Sequence, residues 1–342
     1  MLESSISRTG ILTGALAFVL GTLALSRVTA ETNGTQAQLM ELTGGKRVKV
    51  AWLQGTEQDV KTMYYDTADD VLRVLPFEHD AGPTTTDDIS APLFTSDGRY
   101  VLTSNGRKEH RKVMMYDTKT KAVRTLATGP GNYLIAVWTD PKTRRTWAYV
   151  NSNKDKGEAW NVAEGGPIYR YPIDNPQARE LFWDRTSSHF YLMFSEDGTR
   201  ACFEPSWANI GQLKLTFKPD GTVDQDKSEY KTFGGGCFPS MAPDNSYKIF
   251  RLEGDHKAVS MCDADNTNQR KVVTSTGPIE GATWLTRWST NPRYLTCMAP
   301  DGPDAKTWIG RFDKDFTKIE NWVRVAPEKG PKCWLSQAWV EK

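Results

Sequence analysis

Apolar and polar positions along this chain alternate in short runs, not in long faces. From residue 48 onward the apolar stretches are only a few residues long, rich in β-branched and aromatic side chains, and bounded by Gly, Asp, Asn or Lys-Thr. That is the patterning of strands and tight turns. The stretch 88–129 shows it in full, with 91–94, 99–104, 112–116 and 122–126 as four predicted strands. The Asp97-Gly98 and Asp197-Gly198 pairs favour hairpins, because glycine accepts a positive φ without a Cβ clash. Four hairpin-linked strands in about 45 residues describe one blade of a β-propeller.

The turns recur at that length. Asp97, Asp140, Asp197, Asp244 and Asn291 each follow an apolar stretch, at steps of 43, 57, 47 and 47 residues. A second series, Asp66, Asp117, Asp174, Asp220, Asp263 and Asp313, closes a later apolar run in each unit. Two interleaved combs of similar period mean a repeated supersecondary unit. The units fall at 48–80, 88–129, 132–184, 188–234, 236–277 and 281–327, and the first has only three strands. The tail at 333–340 (CWLSQAWV) has the pattern of a unit's opening strand, as in CFPSMAPD. An open sheet edge is a liability, so the tail is expected to enter the first unit and close the ring. The prediction is an all-β, six-bladed propeller over 48–342, completed in its first blade by the C-terminal strand and preceded by a linker at 31–47.

The segments APLFTSDGRYVLTS, FSEDGTRACF and PSMAPDNSYKIF each give an inner strand, an acidic turn and a second strand. In these the chain resembles the TolB-like, or WD40-like (PD40-type), periplasmic β-propeller family over nearly all of 48–342. The resemblance implies a six-bladed ring, usually exported, in a family with members that bind other proteins. The repeats depart from regularity: Asp140 is followed by Pro, the sixth unit carries Thr-Asn-Pro, and no WD dipeptide recurs.

The first thirty residues have a different character. Arg8 precedes an uncharged apolar run over 11–25, and Val28 and Ala30 sit where a signal peptidase cuts. The run is shorter than the roughly 20 residues a membrane span needs. It is therefore expected to be a cleaved secretory signal, with a retained N-terminal anchor as the alternative. The expected location is periplasmic or secreted, with membrane contact only through 11–25 if that segment stays. Charge is nearly balanced, 43 basic against 42 acidic residues. No basic stripe is visible, so nucleic-acid binding is not expected.

Chemistry-bearing residues are sparse. The five cysteines contain no CxxC and no zinc spacing, and Cys262 and Cys297, in neighbouring units, are the candidate disulfide. Of the four histidines, His189 stands at the entrance of an inner strand, whereas His110 and His256 fall at hairpin turns. Asp87, Asp88, Glu204 and Asp255 are candidates for paired carboxylates, with turn capping as the other use for such residues. The comb aspartates recur in every unit, as turn formers do and catalysts do not. The stretch 234–236, three glycines, reads as a blade linker. No catalytic set, metal site or cofactor is expected.

Inner strands of a propeller begin at one end of its channel. Asp88, Tyr133, His189, Trp284, Arg287 and Trp334 lie at or near those starts, and form the candidate ligand or partner site. The insertion at 151–166, with Trp160, and the segment around Trp207 are candidate partner loops. The leading functional expectation is an exported binding or scaffold protein with a protein partner in the cell envelope. An enzyme acting on a saccharide or lactone at the channel mouth, and an accessory subunit of an envelope or electron-transfer complex, are the alternatives.

Overall fold

The computed structural model describes residues 34–56, 59–77, 89–106, 110–129, 132–152, 166–184, 190–205, 209–253, 256, 258–274, 284–300 and 302–342. They build six four-stranded antiparallel blades around an axis. In blade 1 the inner strand is Lys332–Val340, followed outward by Val48–Thr56, Asp59–Asp66 and Val71–Val74. Blade 2 runs outward from Leu93–Phe94 to Val123–Thr128, blade 3 from Asn132–Thr139 to Glu180–Trp183, and blade 4 from Phe190–Phe194 to Glu229–Gly234. Blade 5 runs from Cys237–Met241 to Arg270–Thr274 and blade 6 from Trp284–Trp288 to Lys318–Arg324. The first unit's missing strand is supplied by the tail, as its pattern requires.

Sheets stacked face to face bury both faces of their middle strands. In blade 2, Tyr100–Asn105 and Lys112–Asp117 are buried at every position but the first. Such strands read as continuous apolar runs. The outer strand Glu229–Gly234 is almost wholly exposed and reads as polar. Aromatic side chains fill the wedges between blades. Tyr64, Phe94, Tyr116 and Phe77 meet between blades 1 and 2, with Tyr64 and Tyr116 edge to face at 6.2 Å. Tyr149, Phe182 and Phe194 do so between blades 3 and 4, and Phe250, Trp288 and Phe312 between blades 5 and 6. Each buried ring contributes about 1.5–3 kcal/mol through lost water contact and about 0.5–1.5 kcal/mol more per favourable ring pair.

Both acidic combs are turn formers. The carboxylates of Asp97, Asp140, Asp197 and Asp244 accept from the backbone N–H two residues on, at 3.0, 2.8, 3.0 and 2.9 Å, and the Asn291 amide oxygen does the same at 3.1 Å. Asp117 and Asp220 in the second comb act alike.

Two features go beyond the sequence expectation. The outer strands of blades 5 and 6 pair in parallel, Val273 with Lys318 and Thr274 with Ile319, which joins two blades into one eight-stranded sheet. The segment expected as a linker holds a helix, Thr35–Thr43. Gly44 ends it in the left-handed region, with the Gly44 and Gly45 N–H groups closing on the Glu41 and Met40 carbonyls. Leu39 and Leu42, one turn apart, are buried in the core shared by blades 1 and 6. Arg311 of blade 6 donates to the Leu42 carbonyl at 3.0 Å and Gln36 donates to Thr67 O of blade 1 at 2.6 Å. The helix thus straddles the seam where the ring closes. No helix among the described residues is long and apolar enough to cross a membrane.

After the helix, Arg47 binds Asp66 of blade 1 with both arms, at 2.9 and 2.7 Å. Burial pushes the Asp66 carboxyl up, but the Arg47 bonds, the Ala68 N–H and the Tyr64 hydroxyl outweigh it and hold the pKa below its ordinary value. A lowered folded pKa means stability that is fully present above the unfolded value of about 3.9 and is lost as pH falls through the folded one. Arg47 is half exposed, so its Coulomb share is small, and the hydrogen bonds to a buried carboxylate dominate. Asp66→Asn is expected to cost about 1–3 kcal/mol at pH 7 and to flatten the decline of stability below about pH 4. Urea unfolding from pH 7 to pH 3 measures both; an unchanged acid slope would exclude this role for Asp66.

All five cysteines are unbonded and buried, which corrects the expectation of a Cys262–Cys297 disulfide. Cys262 packs with Cys202, Met241 and Ile249 between blades 4 and 5, whereas Cys297 lies in the main core. Sequence adjacency of blades did not place the two thiols in one cluster. Burial pushes the Cys333 thiol up to about 11. Native protein is expected to resist iodoacetamide at pH 8 and to take up five labels once unfolded, read as intact mass without reductant. Fewer labels would reveal a bridge.

Candidate functional site

The channel mouth is shaped by a defect repeated in every blade. Near its start each inner strand carries one more residue than its partner. In blade 5, Cys237 faces Leu252 and Ser240 faces Phe250, leaving Phe238 and Pro239 opposite Arg251. Blade 6 repeats this between Trp284 and Arg287, against Met298 and Thr296, and blade 4 between Phe190 and Met193, against Glu204 and Cys202. Ile135 is the extra residue in blade 3, and Trp334 with Leu335 share one partner in blade 1. In blade 2, Ser90 N bonds Ser104 O while Leu93 faces Leu102. A bulge sharpens local twist and re-aims side chains, which lets six strands crowd round one axis.

The bulges need support. Phe238 (φ 51°) and Leu285 (φ 56°) are non-glycine residues in the left-handed region, at about 1–2 kcal/mol each. Backbone N–H groups displaced from the ladder are bound by side chains of the preceding blade. Glu204 Oε2 accepts from Phe238 N at 3.2 Å and Ser104 Oγ from Leu134 N at 3.2 Å. Ser240 Oγ takes Trp288 N at 2.9 Å. Each bond pins one blade to the next at the axis.

Four predicted site residues are described there. Tyr133 is half-buried, its ring 5.5 Å from the Arg111 guanidinium. Trp334 is half-buried, with the Lys332 ammonium 5.7 Å from its ring. Arg287 is buried on the blade 6 inner strand, near enough to Cys202 for its charge to act on that thiol. Trp284 begins the same strand and pairs with Met298; nothing further is described of its side chain. Asp88, His189, Trp160 and Trp207 lie outside the described residues.

A pairing that residue patterns did not reveal lies at the same mouth. His256, expected at a hairpin turn, is buried, and its Nε2 lies 2.8 Å from Cys237 Sγ. His256, between the second and third strands of blade 5, thus lies against the start of its own blade's inner strand. Each residue was visible in the sequence, but only the fold joins them. Burial, and then the Glu204 charge, pushes the Cys237 thiol up to about 12. The thiol therefore keeps its proton at neutral pH, and the tautomer of the His256 ring sets which of the two groups donates. Among the described residues, no three His, Cys, Asp or Glu side chains gather to hold a metal ion. A cavity lined from all six blades lies at the opposite end of the channel, where the inner strands finish.

No protein-family model matches the chain, and no curated protein matches it in sequence. Solved structures match its fold. TolB from Acinetobacter baumannii superposes with a TM-score of 0.58 at 12% identity, over 89% of this chain and 70% of that one. A chain of a nidogen/laminin complex gives 0.52 at 8% identity, over 86% and 98%. A chain assigned as TolB from Agrobacterium tumefaciens gives 0.51 at 14% identity, over 86% and 98%. The architecture is that of a closed six-bladed β-propeller, and within that class the fold is TolB-like. At these identities the likeness is one of fold.

Proposed function

We propose that the chain is an exported binding propeller whose strand-start face takes a protein partner. The carrying observation is the pinned mouth: six bulged strands, three of their seams tied by side-chain bonds, hold the half-buried Tyr133 and Trp334 as a preformed aromatic rim over the buried Arg111 and Glu204. Preorganised aromatic groups on a rigid support suit protein contact. A fold shared with TolB and with a chain of a nidogen/laminin complex supports the same reading. The secretory pattern of residues 1–30 favours an encounter in the envelope or outside the cell. The thiol–imidazole pair is the observation that favours an enzyme, but a thiol held protonated with a pKa of about 12 is a poor nucleophile. Binding is the better reading.

The test is capture from envelope extract on the immobilised chain, beside a Tyr133→Ala, Trp334→Ala double variant. One partner held in stoichiometric amount by the parent and lost by the double variant is the expected result. A partner held equally by both would remove the face from consideration, and no partner at all would overturn the reading.

A further inference from the structure

The cavity at the far end of the channel is a built site with no occupant assigned. It has a volume of ≈ 110 Å³ and is lined from all six blades. Its apolar wall is Phe94, Trp138 and Phe194, the last two with ring centroids 5.9 Å apart. An engineered apolar cavity of about 150 Å³ holds benzene, so this one is of the size for a single ring or a short chain.

Its polar groups include donors open to a ligand. Gln337 is 6% exposed, and its Oε1 is fixed by Phe94 N at 2.7 Å. That fixes the amide orientation and leaves Nε2, which makes no hydrogen bond among the described residues, to the cavity that the residue lines. Thr290 Oγ1, also on the lining residues, is buried without a partner among them. At the rim, Lys342 of blade 1 reaches Glu196 of blade 4 at 3.1 Å, spanning the ring between opposite blades. Arg144 of blade 3 lines the same rim and has no ion-pair partner among the described residues. The Arg144 and Lys342 side chains bring positive charge to the rim, and the Glu196 side chain negative charge.

Arg144 is also held against local preference. Its φ is 61°, a left-handed conformation that favours glycine. The turn imposes it: Arg144 N bonds Asp140 O at 2.8 Å, and Asp140 binds Lys142 N and the Thr143 hydroxyl. A non-glycine residue kept in this region is a pointer to function.

The geometry points to a binding site for a small monocarboxylate with one ring or a short aliphatic body. The body sits on Phe94, Trp138 and Phe194. The carboxylate takes the Arg144 fork and the Gln337 Nε2 donor, and competes with Glu196 for Lys342. A guanidinium matches a carboxylate with two parallel hydrogen bonds, and such charge-assisted bonds are the stronger kind. The site is at the other end of the channel from the proposed partner face, so either reading stands or falls without the other.

Benzoate is the probe, with benzyl alcohol as its uncharged counterpart, titrated into the full chain by calorimetry and by ligand-detected NMR. Benzoate is expected to bind at one site with a Kd on the order of 1 mM or tighter, and benzyl alcohol about tenfold or more weaker. Arg144→Gly suits its backbone conformation, so the fold survives, and benzoate affinity is expected to fall about tenfold. Lys342→Ala is expected to weaken it too, by leaving Glu196 unpaired beside the incoming anion. Absence of saturable benzoate binding, equal affinity for the alcohol, or unchanged affinity in the Arg144→Gly chain would each overturn the assignment.

Discussion

A chain ending at residue 331 is expected to lose its cooperative unfolding transition. Residues 332–342 supply the innermost strand of blade 1, paired to Val48–Thr56 from the Val48 and Val340 pair to the Gly55 and Lys332 pair. They bury Cys333, Leu335, Ala338, Trp339 and Val340. Three of these, Leu335, Trp339 and Val340, are large, at about 1.5–3 kcal/mol each from lost water contact. Their removal also strands the inner edge of a sheet and opens two interblade seams. Domains of this kind retain only about 5–15 kcal/mol of net stability, so the deletion consumes most of it. A synthetic 330–342 peptide, added in trans, is expected to restore the transition in proportion to its concentration. Calorimetry reads both states. A truncated chain melting within a few degrees of the parent would show that the ring does not depend on its latch.

Gly98→Ala and Gly198→Ala are expected to cost about 2–4 kcal/mol each, more than an alanine costs at most turn glycines. Both glycines have positive φ, 66° and 71°. A crowded neighbour matters more than the backbone angle. A Cβ at 98 would lie 2.4 Å from the Trp339 ring, and one at 198 would lie 2.4 Å from the Trp138 ring. The two indoles are equivalent. Each ends an inner strand, lies flat on the next blade's Asp-Gly turn, and donates its N–H to a turn carbonyl, Trp339 to Ser96 O at 3.0 Å and Trp138 to Ser195 O at 3.1 Å. Moving the ring forfeits that bond and its packing, about 1–3 kcal/mol, on top of about 1 kcal/mol for the backbone. Gly221→Ala isolates the backbone cost, since φ is 82° there and no atom stands within 4 Å of the new methyl; about 1 kcal/mol is expected. Urea midpoints give the comparison. If Gly98→Ala and Gly221→Ala cost the same, the indole contact contributes nothing, and the Trp339→Ala, Gly98→Ala double variant should otherwise show strong coupling.

The ring was legible because its signals are local or periodic. Asp97-Gly98 needs only its own turn to form, and the spacing from Asp97 to Asn291 counts blades without any contact being known. The three-stranded first unit and the lone CWLSQAWV segment implied each other for the same reason. What escaped depends on pairs far apart in sequence. A bulge at Phe238 exists only relative to Arg251 on the adjacent strand. The contact of Cys237 with His256 joins positions 19 residues apart. Gln337 faces a cavity because Phe94, 243 residues away, holds its oxygen. The helix Thr35–Thr43 offered two buried leucines and no N-cap side chain, too little pattern to stand out from a linker. The positions after each inner strand, among them Ser96, Glu196 and Thr290, read as turn formers and nothing more, although the ring gathers them at one end.

The pairing of Val48 with Val340 has a mechanical corollary. The two ends of the propeller leave side by side from the same margin of one sheet. Tension applied between them would load the hydrogen bonds of that ladder one after another, like a zip, instead of all together in shear. Stretched through its termini, the molecule should open at low force from blade 1, whereas a pull across opposite blades would meet the whole assembly at once.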